Sequence, residues 1–202
     1  MITYVRALFL LSVVNLLLFS SSLALAQKSK MIYFPEIPKG FNTEVNQLPP
    51  GFAPAMKSSG KLELLFSPGM FNPKAKDFFS YVFVWALDRD SHLSLSEMTS
   101  ELKIYYQGLQ EAVSKKQIIN KVNVDLKSLS SDNKSSDIKE YEGHIRCIEP
   151  FQSKKAQTLK LKIVSRQCPK QKRLVAKFMV APASKASASW PMLKGIKWKP
   201  CP

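Results

Sequence analysis

From residue 61 onward the apolar positions fall into two spacings, every second residue or every third to fourth, and each change of spacing marks a new element. KLELLF (61–66) and FFSYVFVWAL (78–87) read as strands, the second an unbroken apolar run of the kind buried on both sides. Phe79, Tyr81, Phe83, Trp85 and Leu87 share one side of it, and Ser80, Val82, Val84 and Ala86 the other. The side with the smaller residues leaves room for a bulky element. That element is expected to be a helix over 94–116, where Leu95, Met98, Leu102, Tyr105, Leu109 and Val113 recur at helical spacing. Ser94 with Glu97 has the form of a capping box, and Lys115 and Lys116 suit the negative end of the helix dipole. Gly108 costs this helix about 1 kcal/mol relative to alanine, so it signals the close approach of another backbone.

Alternation returns at 121–129, where Val122, Val124 and Leu126 face one way, and again at about 138–148, 157–166 and 172–181. Short connections between these runs favour antiparallel hairpins. The predicted order is β-β-α-β-β-β-β. It implies a single α+β domain over 61–202, an antiparallel sheet of about six strands with one main helix packed on one face. Ahead of it, residues 27–60 hold five prolines and read as an extended segment whose spaced apolar residues, such as Phe34, Ile37, Phe41 and Phe52, wrap over the domain.

The first residues carry a different signal. Arg6 precedes a stretch without charge, residues 7–26, that serines interrupt and that ends in Ala24-Leu25-Ala26, the form of a signal-peptidase site. A signal peptide over 1–26 implies export to the periplasm or the extracellular space. Export places the three cysteines in an oxidising compartment. Cys168 lies in a turn and Cys201 near the C-terminus, whereas Cys147 belongs to a strand pattern as a small hydrophobe, so the expected disulfide joins Cys168 to Cys201.

Catalytic chemistry finds little to stand on. His92, beside Asp88 and Asp90, and His144, between Glu142 and Arg146, are the two histidines. Ser58-Ser59-Gly60-Lys61 has the S-x-x-K form and Ser131-Asp132-Asn133 the S-D-N form of serine acyl enzymes. S-x-x-K also recurs at Ser100/Lys103, Ser131/Lys134 and Ser136/Lys139, and K-T-G is missing. No catalytic residue is assigned. No motif for a cofactor is present, and neither histidine stands at a metal-ligand spacing from a cysteine.

Charge is the most uneven property. The chain carries a net +15, and residues 151–202 hold thirteen lysines and arginines with no acidic residue. Strand alternation puts Lys160, Lys162 and Arg166 on one side of 157–166, and Arg173 and Lys177 on one side of 172–181. Folding the two runs about residues 168–172 is expected to set Arg166 near Arg173 and Lys162 near Lys177, an opposition of like charges that a bound anion would relieve. Glu140 and Glu142 on the preceding strand could also offset them. The expected function is that of an exported non-enzymatic domain that meets an anionic envelope lipid or polymer through this face, with a small secreted hydrolase as the alternative. Nucleic acid is disfavoured, since no binding motif or interleaved exposed aromatics accompany the basic residues. The exported protein is predicted to begin at Gln27, which intact-mass measurement checks; a full-length chain in the membrane fraction is the contrary result.

Overall fold

Seven runs of alternating side chains pair into one antiparallel sheet in a computed structural model that describes residues 30–115, 120–129 and 137–202. The segment 1–26 expected to be a signal peptide, Lys116 and the Ser131-Asp132-Asn133 triplet lie outside these residues. The strands are β1 (Asn42–Leu48), β2 (Gly60–Phe66), β3 (Tyr81–Leu87), β4 (Asn123–Leu129), β5 (Ile138–Ile148), β6 (Ala156–Cys168) and β7 (Arg173–Pro182). Their order across the sheet is β1-β2-β3-β7-β6-β5-β4. Helix α1 (Leu95–Val113) follows β3, and a short helix α2 (Ala186–Lys194) follows β7. The protein is therefore an α+β single domain with one main helix. It has seven strands rather than about six, because β1 lies inside the Pro-rich segment, where an edge strand with a single valine leaves almost no alternating signal.

Helix α1 begins as its capping box dictates. The Glu97 N–H donates to Ser94 Oγ at 3.2 Å and the Ser94 N–H donates to Glu97 Oε2 at 2.7 Å. Hydrogen bonds to the carboxylate from Ser94 and then from Arg89 hold the Glu97 carboxyl below the usual carboxylate range. The side of β3 that α1 covers is opposite to the expected one. Tyr105 lies against Phe83 and Trp85, with ring centroids 5.9 and 5.8 Å apart, on the face with the large residues. The buried stripe of the helix is also turned: it runs through Met98, Glu101, Leu102, Tyr105, Tyr106 and Gln110, while Leu95 is 40% exposed. Two polar residues explain the rotation. Glu101 accepts the N–H groups of Lys57 and Ser58, and Gln110 receives the Ile148 N–H while donating to the Asn120 carbonyl. Each ties part-buried backbone groups of other segments to the helix.

Gly108 is placed as expected. A β-carbon there would stand 2.1 Å from the Phe52 carbonyl oxygen, so the segment after β1 lies directly on the helix.

The small side of β3 is covered by irregular chain. Tyr33 and Phe34 pack with Leu193 of α2 and Ile196 on Val82, Val84 and Ala86. Glu63, fully buried on β2, fixes the first of these segments: its carboxylate accepts the N–H groups of Ile32 and Tyr33 at 2.8 and 3.0 Å and pairs with Lys61 at 3.1 Å. The C-terminal segment lies beside it, Lys199 N–H donating to the Tyr33 carbonyl at 2.8 Å. That segment is tied down by a disulfide between Cys168 and Cys201, the expected pair, with sulfurs 2.01 Å apart.

Gly108→Ala is predicted to destabilise the domain by about 1–2 kcal/mol, because overpacking against the Phe52 carbonyl outweighs the gain in helix propensity. A lower urea midpoint at unchanged slope is the expected reading, and a stabilised variant would contradict the contact.

Candidate anion-binding face

The outer side of the sheet, away from α1, is only half covered. The two terminal segments and α2 lie over β2, β3 and β7, whose outer residues Leu65, Val82, Val84, Val175 and Met179 are apolar. Beyond them the alternation turns polar. β6 presents Lys160, Lys162 and Arg166, β5 presents Glu140, Glu142, His144 and Arg146, and β4 presents Asp125 and Lys127.

The pairing of β6 with β7 differs from the expected one by two residues. Arg166 stands opposite Val175 and Lys162 opposite Met179, so no two basic residues of this hairpin face each other directly. The cause is the turn. β6 continues to Cys168, and a 3₁₀ turn over Pro169–Gln171 with Lys172 in the left-handed region (φ 51°) connects it to β7. A shift of two leaves every side chain on its expected face.

The five basic residues consequently divide. Lys160 and Arg166 are exposed; Lys160 faces His144 and Ala181 across the strands, and Arg166 faces Ile138 and Val175. Lys162 is half-buried and stands opposite Glu142, which itself pairs with Lys127 at 3.0 Å. The Lys127 ammonium, through its hydrogen bond and its charge, keeps the Glu142 carboxyl below the usual range. Arg173 reaches the other way, toward Asp88 (3.3 Å) and the Tyr33 hydroxyl (3.3 Å).

Lys177 does not belong to an exposed face at all. It is 6% exposed beneath the C-terminal segment, donates to the Ile196 carbonyl at 3.0 Å, and lies 5.8 Å from the centre of the Trp198 ring. Burial pulls its pKa below the ordinary lysine value. The alternation that placed Lys177 on the outer side was right, but the outer side of β7 is roofed by chain that has no strand or helix periodicity.

What remains open is a groove of about 550 Å³ over β4, β5 and β6. Asp125, Lys127, Glu142, His144, Lys160 and Lys162 form its floor, and Trp190 of α2 lines it as well. Lysines and carboxylates interleave there, so the surface can meet an anion at Lys160 and Lys162 while offering acceptors to neighbouring hydroxyls or amines. Trp190 was missed because KASASWPMLK has no usable period, with Pro191 inside the helix and no side-chain cap. The shared face of Asp125, Lys127, Glu142 and His144, by contrast, is contained in the alternation of 121–129 and 138–148.

The catalytic candidates do not assemble into an accessible centre. His92 Nδ1 is 3.2 Å from Ser165 Oγ, a Ser-His contact in form, but Ser165 is 1% exposed and no substrate can reach its hydroxyl. Ser58 lines a hollow beside α1 with Ser100 and Glu101, whereas the Lys61 ammonium is bound to Glu63 and the Lys30 carbonyl. The free Cys147 has its thiol pushed up to about 12 by burial, which keeps it protonated and unreactive near neutral pH. Among the described residues there is no group of three or more His, Cys, Asp or Glu placed to hold a metal ion, and no helix long and apolar enough to cross a membrane.

No protein-family model, curated protein or solved structure matches this chain.

The two environments of lysine on this hairpin predict opposite behaviour. Lys177→Glu should cost on the order of 3 kcal/mol or more, since it strands the Ile196 carbonyl and buries an anion. Lys160→Glu should change stability by no more than about 0.5 kcal/mol. Thermal or urea unfolding of the two variants separates them, and equal effects would refute the division.

Proposed function

We propose that the protein is an exported, non-catalytic binding domain that engages an anionic lipid headgroup or polymer of the cell envelope through the outer face of β4, β5 and β6. The single observation that carries this reading is the groove left open beside α2, which Lys160, Lys162 and Trp190 line together on a surface that the other described residues do not cover. An oxidised Cys168–Cys201 pair and the signal-like segment 1–26 support export. The ligand contacts are assigned to Lys160 and Lys162, with Arg166 further along the same strand face. Arg173 and Lys177 serve the packing of the terminal segments instead. Since Glu142 and Asp125 share the floor, a ligand carrying separated negative charges suits it better than a uniformly charged polyanion.

Binding to anionic vesicles or acidic polymers should fall steeply between low and physiological salt, because each exposed lysine contributes on the order of 1 kcal/mol that screening removes. Lys160→Glu combined with Lys162→Gln should weaken it about tenfold or more while leaving the fold intact; the glutamine avoids a second carboxylate opposite Glu142. Affinity indifferent to both salt and this pair of substitutions would leave the groove as ordinary solvated surface.

A further inference from the structure

Two connections meet at one end of the sheet: residues 67–80 between β2 and β3, and residues 149–155 between β5 and β6. Their rings join them. Phe71 stands edge-on to Phe151 at 5.3 Å between centroids, Phe151 lies 5.9 Å from Phe79, and Phe71 is 6.1 Å from Phe66 at the end of β2. Phe79, Phe66 and Phe151 belong to or pack against the core, but Phe71 is 45% exposed. It is the only exposed large hydrophobic residue of these two connections.

The charges at this end are sorted by direction. The two connections contain four lysines, Lys74, Lys76, Lys154 and Lys155, all exposed. They contain two carboxylates, Asp77 and Glu149, and both are turned inward as caps for backbone N–H groups. Asp77 Oδ2 accepts the Gly69 N–H at 2.8 Å. Glu149, which is buried, accepts the N–H groups of Phe151, Gln152 and Ser153. The loops that present the exposed Phe71 ring thus carry four exposed lysines and no outward carboxylate, the Lys154 ammonium donating to the Pro150 carbonyl of its own loop, and the caps and the ring contacts keep both loops in place.

We propose that this end of the sheet docks on an anionic phospholipid bilayer, Phe71 entering the headgroup region and the four lysines meeting lipid phosphates. A ring half out of water gains by entering the interface, and lysine stems can cover apolar surface while their ammonium groups stay at the phosphate level. A soluble polyanion would satisfy the lysines and leave the ring in water. A purely apolar protein partner would leave the ammonium groups unpaired. The combination fits the bilayer. This surface is separate from the groove and does not rest on the groove's reading.

The test compares sedimentation with vesicles of zwitterionic lipid, with vesicles carrying about one-third anionic phospholipid, and retention on dextran sulfate, a soluble polyanion, using the exported chain. Phe71→Ser should weaken binding to the anionic vesicles about tenfold and leave dextran sulfate binding unchanged. The quadruple variant K74Q/K76Q/K154Q/K155Q should weaken binding to the anionic vesicles about tenfold or more, leaving at most the share the groove carries. Phe71→Trp should show a blue-shifted emission component, quenched by brominated acyl chains, with anionic vesicles. All five substituted residues are exposed, and unchanged circular dichroism establishes that the variants are folded. Vesicle binding indifferent to Phe71→Ser, or equal on zwitterionic and anionic lipid, overturns the proposal. Lys160→Glu with Lys162→Gln goes through the same assays. Vesicle binding that survives this pair and falls with Phe71→Ser supports the loop end even where the groove binds nothing; vesicle binding lost with the pair and untouched by Phe71→Ser overturns it.

Discussion

The structure is governed by a requirement of its two central strands. β3 is apolar on both sides, and β7 nearly so, with Lys177 buried on its outer side, and a single helix can cover only one side. α1 takes the aromatic side, where Phe83 and Phe178 stack at 4.3 Å and Tyr105 adds a further ring. The other side has to be closed by chain without regular structure, and such chain carries backbone donors that need partners. Glu63 answers this requirement on the N-terminal segment. One buried carboxylate takes two consecutive N–H groups, and its own charge is met by Lys61.

This requirement also explains where the open groove lies. The outer side of β4, β5 and β6 alternates toward charge, so leaving it uncovered costs nothing in apolar exposure. α2 stops at this boundary and brings Trp190 to it. The basic excess of the final quarter is accordingly not one patch. Part of it floors the groove among carboxylates, part secures the terminal segments, and Lys154 and Lys155 stand at the loop end. Net charge said that cations were abundant there but nothing about which of them water can reach.

Much of the fold could be read from local pattern. The capping box, the bounds of β5, the backbone contact at Gly108 and the Cys168–Cys201 pair all depend on residues whose chemistry has few solutions. The misreadings share a different origin. β1 and α2 are stabilised by what they lie against, not by their own periodicity, so their sequences give no signal. The side chosen by α1 was judged from the sizes of residues on β3, whereas Tyr105 packs on the large rings of Phe83 and Trp85, and the stripe the helix buries includes Glu101 and Gln110, which bond to segments distant in sequence. The burial of Lys177 likewise depends on a C-terminal segment that no strand rule places over β7. At the site, alternation identified the faces of Lys160, Lys162 and Arg166, and the turn at 169–172 changed only what they oppose.

The strand order divides the chain into two meanders, β1-β2-β3 and β4-β5-β6-β7, in which every neighbour is also the next strand in sequence. Their strands pair at one seam, β3 against β7, whose partners lie between 87 (Leu87 with Leu174) and 99 (Tyr81 with Val180) residues apart. Each meander can gather through short hairpin closures, but the aromatic stack of Phe83 on Phe178 exists only once the long loop between them has closed. The centre of the core is thus the last thing the local rules can build. A nascent chain released with only its first meander would present the edge of β3, apolar on both sides and without its partner, and that exposed edge is where self-association would begin.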